Sequence, residues 1–361
     1  MLKMYLVSFE REGQIKFVNA ILRTLAREGK EIINSTSILD NVSPVLAREW
    51  IKCYGEVSTE KIVDAAMSQS PIFVTVNESA ESTDDERKAK RGLIREMFSA
   101  SSIGEQAELL AHGSIRVPEQ QSSIVSMWPG YELGEWWVQD PSASLPALAL
   151  WNAMKTEKNP GNLHVVDLCS APGGKAAQLC SLGFGRVTAV EISSKRTKPL
   201  RENLERLGMT KRCDVVVMDG REWRPAEGDH VDVVLLDAPC SATGVASRRP
   251  DVLRKSPDQL EEMMELQREL AAHVVDNLLP PGGIMVYATC SLLKSESEEQ
   301  MRWLLAREDG PKLETIPFQP GELPGFDQAI DENGWLRVIP GHLPGSLSYC
   351  DGFFVARIRR L

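Results

Sequence analysis

"VVDLCSAPGGKAAQL" (165–179) opens on an apolar β-rich run, tightens at Gly173 and Gly174, and continues into a helix-forming segment. Strand, turn and helix in that order leave backbone amides facing a ligand at the helix N-terminus. Working outward, further apolar runs at 163–168, 186–192, 213–218, 231–237, 282–289 and 352–358 predict strands. Between them, 193–209 sets Leu200, Leu204 and Leu207 at helical spacing, and 256–279 opens on Ser-Pro and stops at Pro280-Pro281. The alternation predicts an α/β fold, a parallel sheet wound on both faces by helices, with ligands beyond the carboxyl ends of the strands.

Upstream, 1–70 reads as helices. "GQIKFVNAILRTLAREGKEI" is amphipathic, and "VSPVLAREWIKCYG" has a Ser-Pro start and a Gly stop. "PIFVTVN" (71–77) reads as a strand and "ESAESTDDERKAK" (78–90) as a loop or mobile insert. The pattern changes near 140–160, where Trp136 and Trp137 are expected to pack at a domain junction.

Hydrophobic residues at 42 % and charged residues at 25 % of 361 exclude a disordered or fibrous chain. No apolar run approaches the roughly 20 residues a membrane-spanning helix needs. The N-terminus has no cleavage site of the secretory kind, which points to the cytoplasm, or to an organelle if the source is eukaryotic. Seven cysteines without a C-x-x-C pair, beside 5 histidines, support neither a disulfide framework nor a metal site. A net charge of −10 argues against indiscriminate nucleic-acid binding, but two basic knots stand out, one between Arg186 and Arg212 and one at "RRPDVLRK" (248–255).

The glycine turn lacks G-x-G-x-x-G, so a dinucleotide is disfavoured. Glu191, Asp219 and Asp237 close three successive strands, and acids converging on one rim suit a nucleoside bearing a sulfonium, S-adenosylmethionine. Cys240 in "DAPCSATGV" (237–245) and Cys290 in "YATCSLLKSESEE" (287–299) also fall at strand ends. A thiolate adding to carbon 6 of cytosine makes carbon 5 nucleophilic; one thiol would attack and a second assist release, and the residues alone leave their order open. A helix after Cys290, with Ser295 and Glu298 spaced as a capping box, would favour ionisation there. Asp237 is a candidate to hydrogen-bond the pyrimidine. Cys53, Cys169, Cys180, Cys213 and Cys350 read as inert buried thiols.

"DLCSAPGGK", "DAPCSATG", "YATCS" and "DGFFVARI" resemble the cofactor loop, fourth motif, sixth motif and terminal strand of the Sun/RsmB (NSUN-type) RNA cytosine-5 methyltransferases, most closely the RsmB-type 16S rRNA enzymes. The resemblance is strong over about 130–361 and weaker upstream. It implies a Rossmann-like class I methyltransferase sheet with an N-terminal helical/α+β extension. Residues 1–40 would be the remnant of a NusB-like helical RNA-binding domain, 41–150 a linker and small α+β RNA-binding region, and 151–361 the methyltransferase domain. It also implies Cys290 as nucleophile, Cys240 in product release, and a cofactor pocket lined by Cys169, Ser170, Ala171, Pro172, Gly173, Gly174, Lys175, Glu191, Asp219 and Asp237. Ser170 and Ala242 replace the more usual Ala and Gly, with little effect expected. The expected activity is methylation of carbon 5 of a cytidine in small-subunit ribosomal RNA by a monomer without metal or membrane. The alternatives are transfer RNA as substrate, or an RNA-binding assembly factor with little chemistry.

Overall fold

A computed structural model describes residues 12–78, 82–101, 106–118, 124–155, 158–254 and 260–361. Five of the expected strands lie side by side and parallel: β5 (His164–Leu168), β6 (Arg186–Glu191), β7 (Cys213–Val217), β8 (Val233–Asp237) and β9 (Ile284–Thr289). The order runs β7-β6-β5-β8-β9, so the chain steps outward from β5 to β7 and then returns to the other side of β5. That reversal opens a crevice at the carboxyl ends of β5 and β8. The terminal strand β12 (Phe353–Arg360) joins β9 antiparallel, and the short β10 (Leu313–Thr315) and β11 (Leu336–Val338) pair with it. Near-continuous Val, Leu and Ile runs follow from burial on both faces, since helices cover each side. This is the Rossmann-like methyltransferase sheet expected above.

The smaller sheet, ordered β2-β3-β1-β4, is made of β1 (Ile72–Val76), β2 (Glu108–Leu109), β3 (Ile115–Val117) and β4 (Trp136–Val138). Side chains alternate along β4, so Trp136 enters the core of this sheet with Phe98 and Trp128, while Trp137 joins the core of the large one. Both tryptophans pack at the junction, as expected. Residues 78–90, expected as a loop, contain instead the start of a helix, Asp84–Ser99. Thr83 and Glu86 close a capping box, and Arg87, Ile94 and Phe98 are buried on one face. Residues 79–81 lie outside the described part.

Of the N-terminal helices, α1 spans Glu12–Ser35, α2 Pro44–Tyr54 and α3 Glu56–Met67; the Asp84–Ser99 helix is α4. Ser43 caps α2, Pro44 occupies its first turn, and Gly55 ends it at φ +81°. Helices α2 and α3 pack over the segments after the two thiols: Trp50, Ile62 and Val63 share a core with Val252, Leu253, Leu292 and Leu293. Helix α5 (Pro141–Met154) packs on the large sheet, followed by α6 (Gly174–Leu182) and α7 (Ser194–Arg206). Two residues pin the small sheet to the last turn of α7. Asn77 donates to the carbonyls of Gly134 (2.8 Å) and Leu207 (3.0 Å), and Arg206 donates to those of Tyr131 (2.7 Å) and Trp136 (3.1 Å). Helices α8 (Leu260–His273) and α9 (Glu298–Leu305) complete the layers; the expected Ser-Pro start at 256–257 lies outside the described residues.

Candidate active site

Beyond β5 the chain turns at once: Cys169 has φ +62° and Gly173 φ +102°. A Cβ on Gly173 would stand 2.9 Å from Leu200 Cγ, so conformation and space both require glycine there. Glu191, buried at the end of β6, accepts from the backbone N–H of Ala171 (3.3 Å) and Ser193 (3.0 Å). Arg196 reaches the same carboxylate (3.3 Å) and donates to Ala171 O (2.8 Å), which ties the loop to the next strand. Asp167, 0 % exposed, accepts the Ser170 hydroxyl at 2.7 Å through Oδ2, whereas its Oδ1 has no partner among the described residues. Burial pushes Asp167 up to about 7, against the Ser170 bond and the Lys175 charge. Ser170 therefore makes a contact that the more usual alanine lacks.

At the end of β8, Asp237 pairs with Lys175 Nζ at 2.7 Å, and that ammonium lies 5.1 Å over the Phe353 ring. Burial works against the charged Lys175, yet Asp237 first, then Asp167 and Cys290, raise it above its ordinary value. The Cys240 and Cys290 sulfurs stand 3.4 Å apart. That bond and then burial push the Cys240 thiol well up. Backbone bonds stitch the two loops together, Ala238 N to Ala288 O and Gly244 N to Cys290 O, both 2.9 Å. Ala242 takes φ +60°, where an L-residue pays about 1–2 kcal/mol that glycine avoids, so this replacement is strained rather than neutral.

The capping box expected after Cys290 does not form. Helix α9 begins only at Glu298, Ser297 makes no side-chain cap bond, and Glu298 is taken by Arg337 at 3.0 and 2.6 Å. A buried guanidinium outcompetes the helix end for that carboxylate, and Arg337 also donates to Ser291 O at 2.6 Å. The cation near Cys290 is Lys175 instead.

Asp219 follows the carboxyl end of β7, where Met218 N donates to Glu191 O at 3.2 Å. Arg221 chelates Asp219 at 3.1 and 2.5 Å, which holds its carboxyl below the usual range. Of the first basic knot, Lys195, Arg196, Lys198, Arg201 and Arg206 share helix α7 and the other three do not. Arg186, Lys211 and Arg212 lie at the amino ends of β6 and β7, about 16 Å from the site at ~3.3 Å per strand residue, and Arg186 is paired with Asp214 and Asp229. In the second knot Arg248 is fixed by Asp140 (2.6 Å) and Asp351 (3.6 Å), while Lys255 lies outside the described residues. Burial raises Cys53, Cys169 and Cys350, and Cys213 is raised chiefly by its bond to Cys180, as befits inert thiols.

Residues 154–359 match the family described as 16S rRNA methyltransferase RsmB/F. The chain belongs to the RsmB/F methyltransferase family. Ribosomal RNA small subunit methyltransferase B of Shewanella oneidensis is 31 % identical over 354 residues, covering 96 % of this chain and 74 % of that protein. The F methyltransferase of Cronobacter sakazakii is 37 % identical over 230 residues, 63 % of this chain, which spans only 45 % of that relative's length. A solved methyltransferase homolog from Pyrococcus horikoshii shares the fold, with TM-score 0.68 and 24 % identity over 91 % of this chain and 100 % of its own.

Within this RsmB/F scaffold the crevice gathers Asp167, Lys175, Glu191, Asp237, Cys240 and Cys290. Among the described residues no cluster suits a metal ion, and no helix is long and apolar enough to cross a membrane. Two buried acids beside the crevice and the thiol loops escaped the sequence: Asp167, whose signal is an acid inside the apolar run "HVVDL", and Glu296, one of three glutamates in "SESEE" with nothing to single it out.

Proposed function

We propose that this chain methylates carbon 5 of a cytidine in RNA, small-subunit ribosomal RNA in particular, through a covalent adduct with Cys290. The observation that carries the reading is the pair of sulfurs 3.4 Å apart at the ends of β8 and β9, beside the Lys175–Asp237 ion pair. The names of the B and F relatives supply the substrate class. S-adenosylmethionine, when bound, supplies an electrophilic methyl group. The donor set fits it: a glycine turn at a helix N-terminus, Glu191 for ribose hydroxyls, and a largely acidic interior suited to a cation rather than to phosphates.

In this reading the Cys290 thiolate adds to carbon 6 of a cytosine turned out of its stack, and the electron pair moves to carbon 5, the carbon to be methylated. Lys175 and Asp237 are placed to hold the polar edge of the pyrimidine. After methylation a base takes the hydrogen from carbon 5, the pair reforms the C5–C6 double bond, and the carbon–sulfur bond breaks. Cys240, 3.4 Å from that sulfur, assists by returning a proton to it as it departs. Helices α2 and α3, which pack over the segments after the two thiols, and the small sheet are the proposed RNA-facing region.

The test uses labelled methyl donor and total RNA. Cys290→Ala is expected to abolish transfer, and Cys240→Ala to accumulate a protein–RNA adduct that survives denaturant. Labelling retained in both variants would remove covalent chemistry, and an adduct with Cys290→Ala would reverse the roles. Mapping the labelled nucleotide separates ribosomal from transfer RNA.

A further inference from the structure

One buried carboxylate links the two thiol loops. Glu296 is 0 % exposed, so it cannot touch a substrate, and its partners are neutral groups flanking the cysteines. Its Oε1 accepts from the backbone N–H of Ser241 (2.8 Å) and from Gln267 Nε2 (3.1 Å), and its Oε2 accepts the hydroxyls of Ser241 and Ser291, each at 2.5 Å. Gln267 Nε2 also donates to Pro239 O at 2.8 Å. The residues after Cys240 and after Cys290 therefore hang from a single side chain, and the one before Cys240 is tied to it through Gln267. Tyr287, on β9, fixes that side chain's own peptide by donating to Glu296 O at 2.8 Å.

We propose that Glu296 is the positioning residue that sets the distance between the two sulfurs, a role that rests on the thiol-adduct reading above. The loops leave different strands, and their backbone bonds fix the peptides but not the facing of the side chains. A carboxylate offers about four acceptor sites in one plane, enough to draw donors from both loops onto one point. Misplacement by about 1 Å can cost on the order of 100-fold in rate.

The experiment compares Glu296→Ala, Glu296→Asp and Glu296→Gln in the full chain, with folding followed by circular dichroism and S-adenosylmethionine affinity by calorimetry. The geometric readout is the rate at which diamide joins the two thiols, which lose two protons and two electrons to the reagent's N=N bond. Ala and Asp, which fall short of the hydroxyls, are expected to slow this coupling about 10-fold or more and methyl transfer about 100-fold, with cofactor affinity unchanged. Gln is expected to restore both to within about fivefold, because its oxygen replaces Oε1 and its NH2 donates to the two hydroxyl oxygens. Should Glu296→Ala not fold, Ser291→Ala removes one tether and is expected to show a smaller loss of the same kind. Wild-type coupling and transfer in Glu296→Ala, or a Gln variant no better than Ala, overturns the assignment. Methylation that survives Cys290→Ala overturns only the adduct reading, since diamide coupling in the Glu296 variants requires no catalysis.

Discussion

Asp167 sits in mid-sheet among buried valines and leucines, and its proton is governed by that surrounding. Unfolded, it releases its proton near 3.8; folded, it keeps it to about 7. The folded state thus binds more protons between those values, so the stability Asp167 contributes is complete below pH 3.8 and is lost as pH rises through about 7. Asp167→Asn keeps an acceptor for Ser170 and has no such dependence. Its melting temperature is expected to gain on the wild type between pH 5 and pH 8, corresponding to about 3 kcal/mol. Calorimetry at the two pH values checks this, and a constant gap would refute it. Asp237, Lys175 and both thiols were legible because each falls at the end of a strand or within a few residues after one. Asp167 and Glu296 were not, because a lone acid in a strand or an acidic run looks the same in sequence whether it is solvated or buried.

The elements that carry the thiols meet backbone to backbone. Gly244 N bonds Cys290 O, Gly352 N bonds Gly244 O at 2.8 Å, and a Cβ on Gly244 would stand 2.3 Å from the Gly352 carbonyl oxygen. Gly244→Ala is therefore expected to force the Cys240 loop away from the turn before β12, costing about 1–3 kcal/mol and most of the methyl transfer. Urea unfolding and turnover on the same preparation check it; wild-type values in both would show that the turn yields freely. Strand positions were readable from apolar runs of the right length. The Asp84–Ser99 helix was missed because charge masked its Thr83–Glu86 start, and the helix after Cys290 was placed too early because Arg337, 39 residues beyond Glu298, competes for that carboxylate.

Across the whole molecule, the N-terminal helices brace the site. Trp50, fully buried, packs with Leu253 and Leu292, Tyr54 OH donates to Leu292 O at 2.7 Å, and Ser43 N donates to Leu253 O at 2.8 Å. Trp50→Ala is expected to cost about 3–5 kcal/mol and to depress methyl transfer even where the protein stays folded. Turnover measured well below the melting temperature checks it, and undiminished turnover there would show that the helices carry no load for the loops. Such long-range packing has no local signature, so the sequence pointed to helices without saying what they cover. The pins at Asn77 and Arg206 have a mechanical consequence. Helix α7, 13 residues and about 20 Å long at ~1.5 Å per residue, carries Arg196 on the cofactor loop at one end and the small sheet at the other. The helix thus links the two: a displacement of the small sheet is carried along it to the glycine turn after β5, so neither shifts without the other.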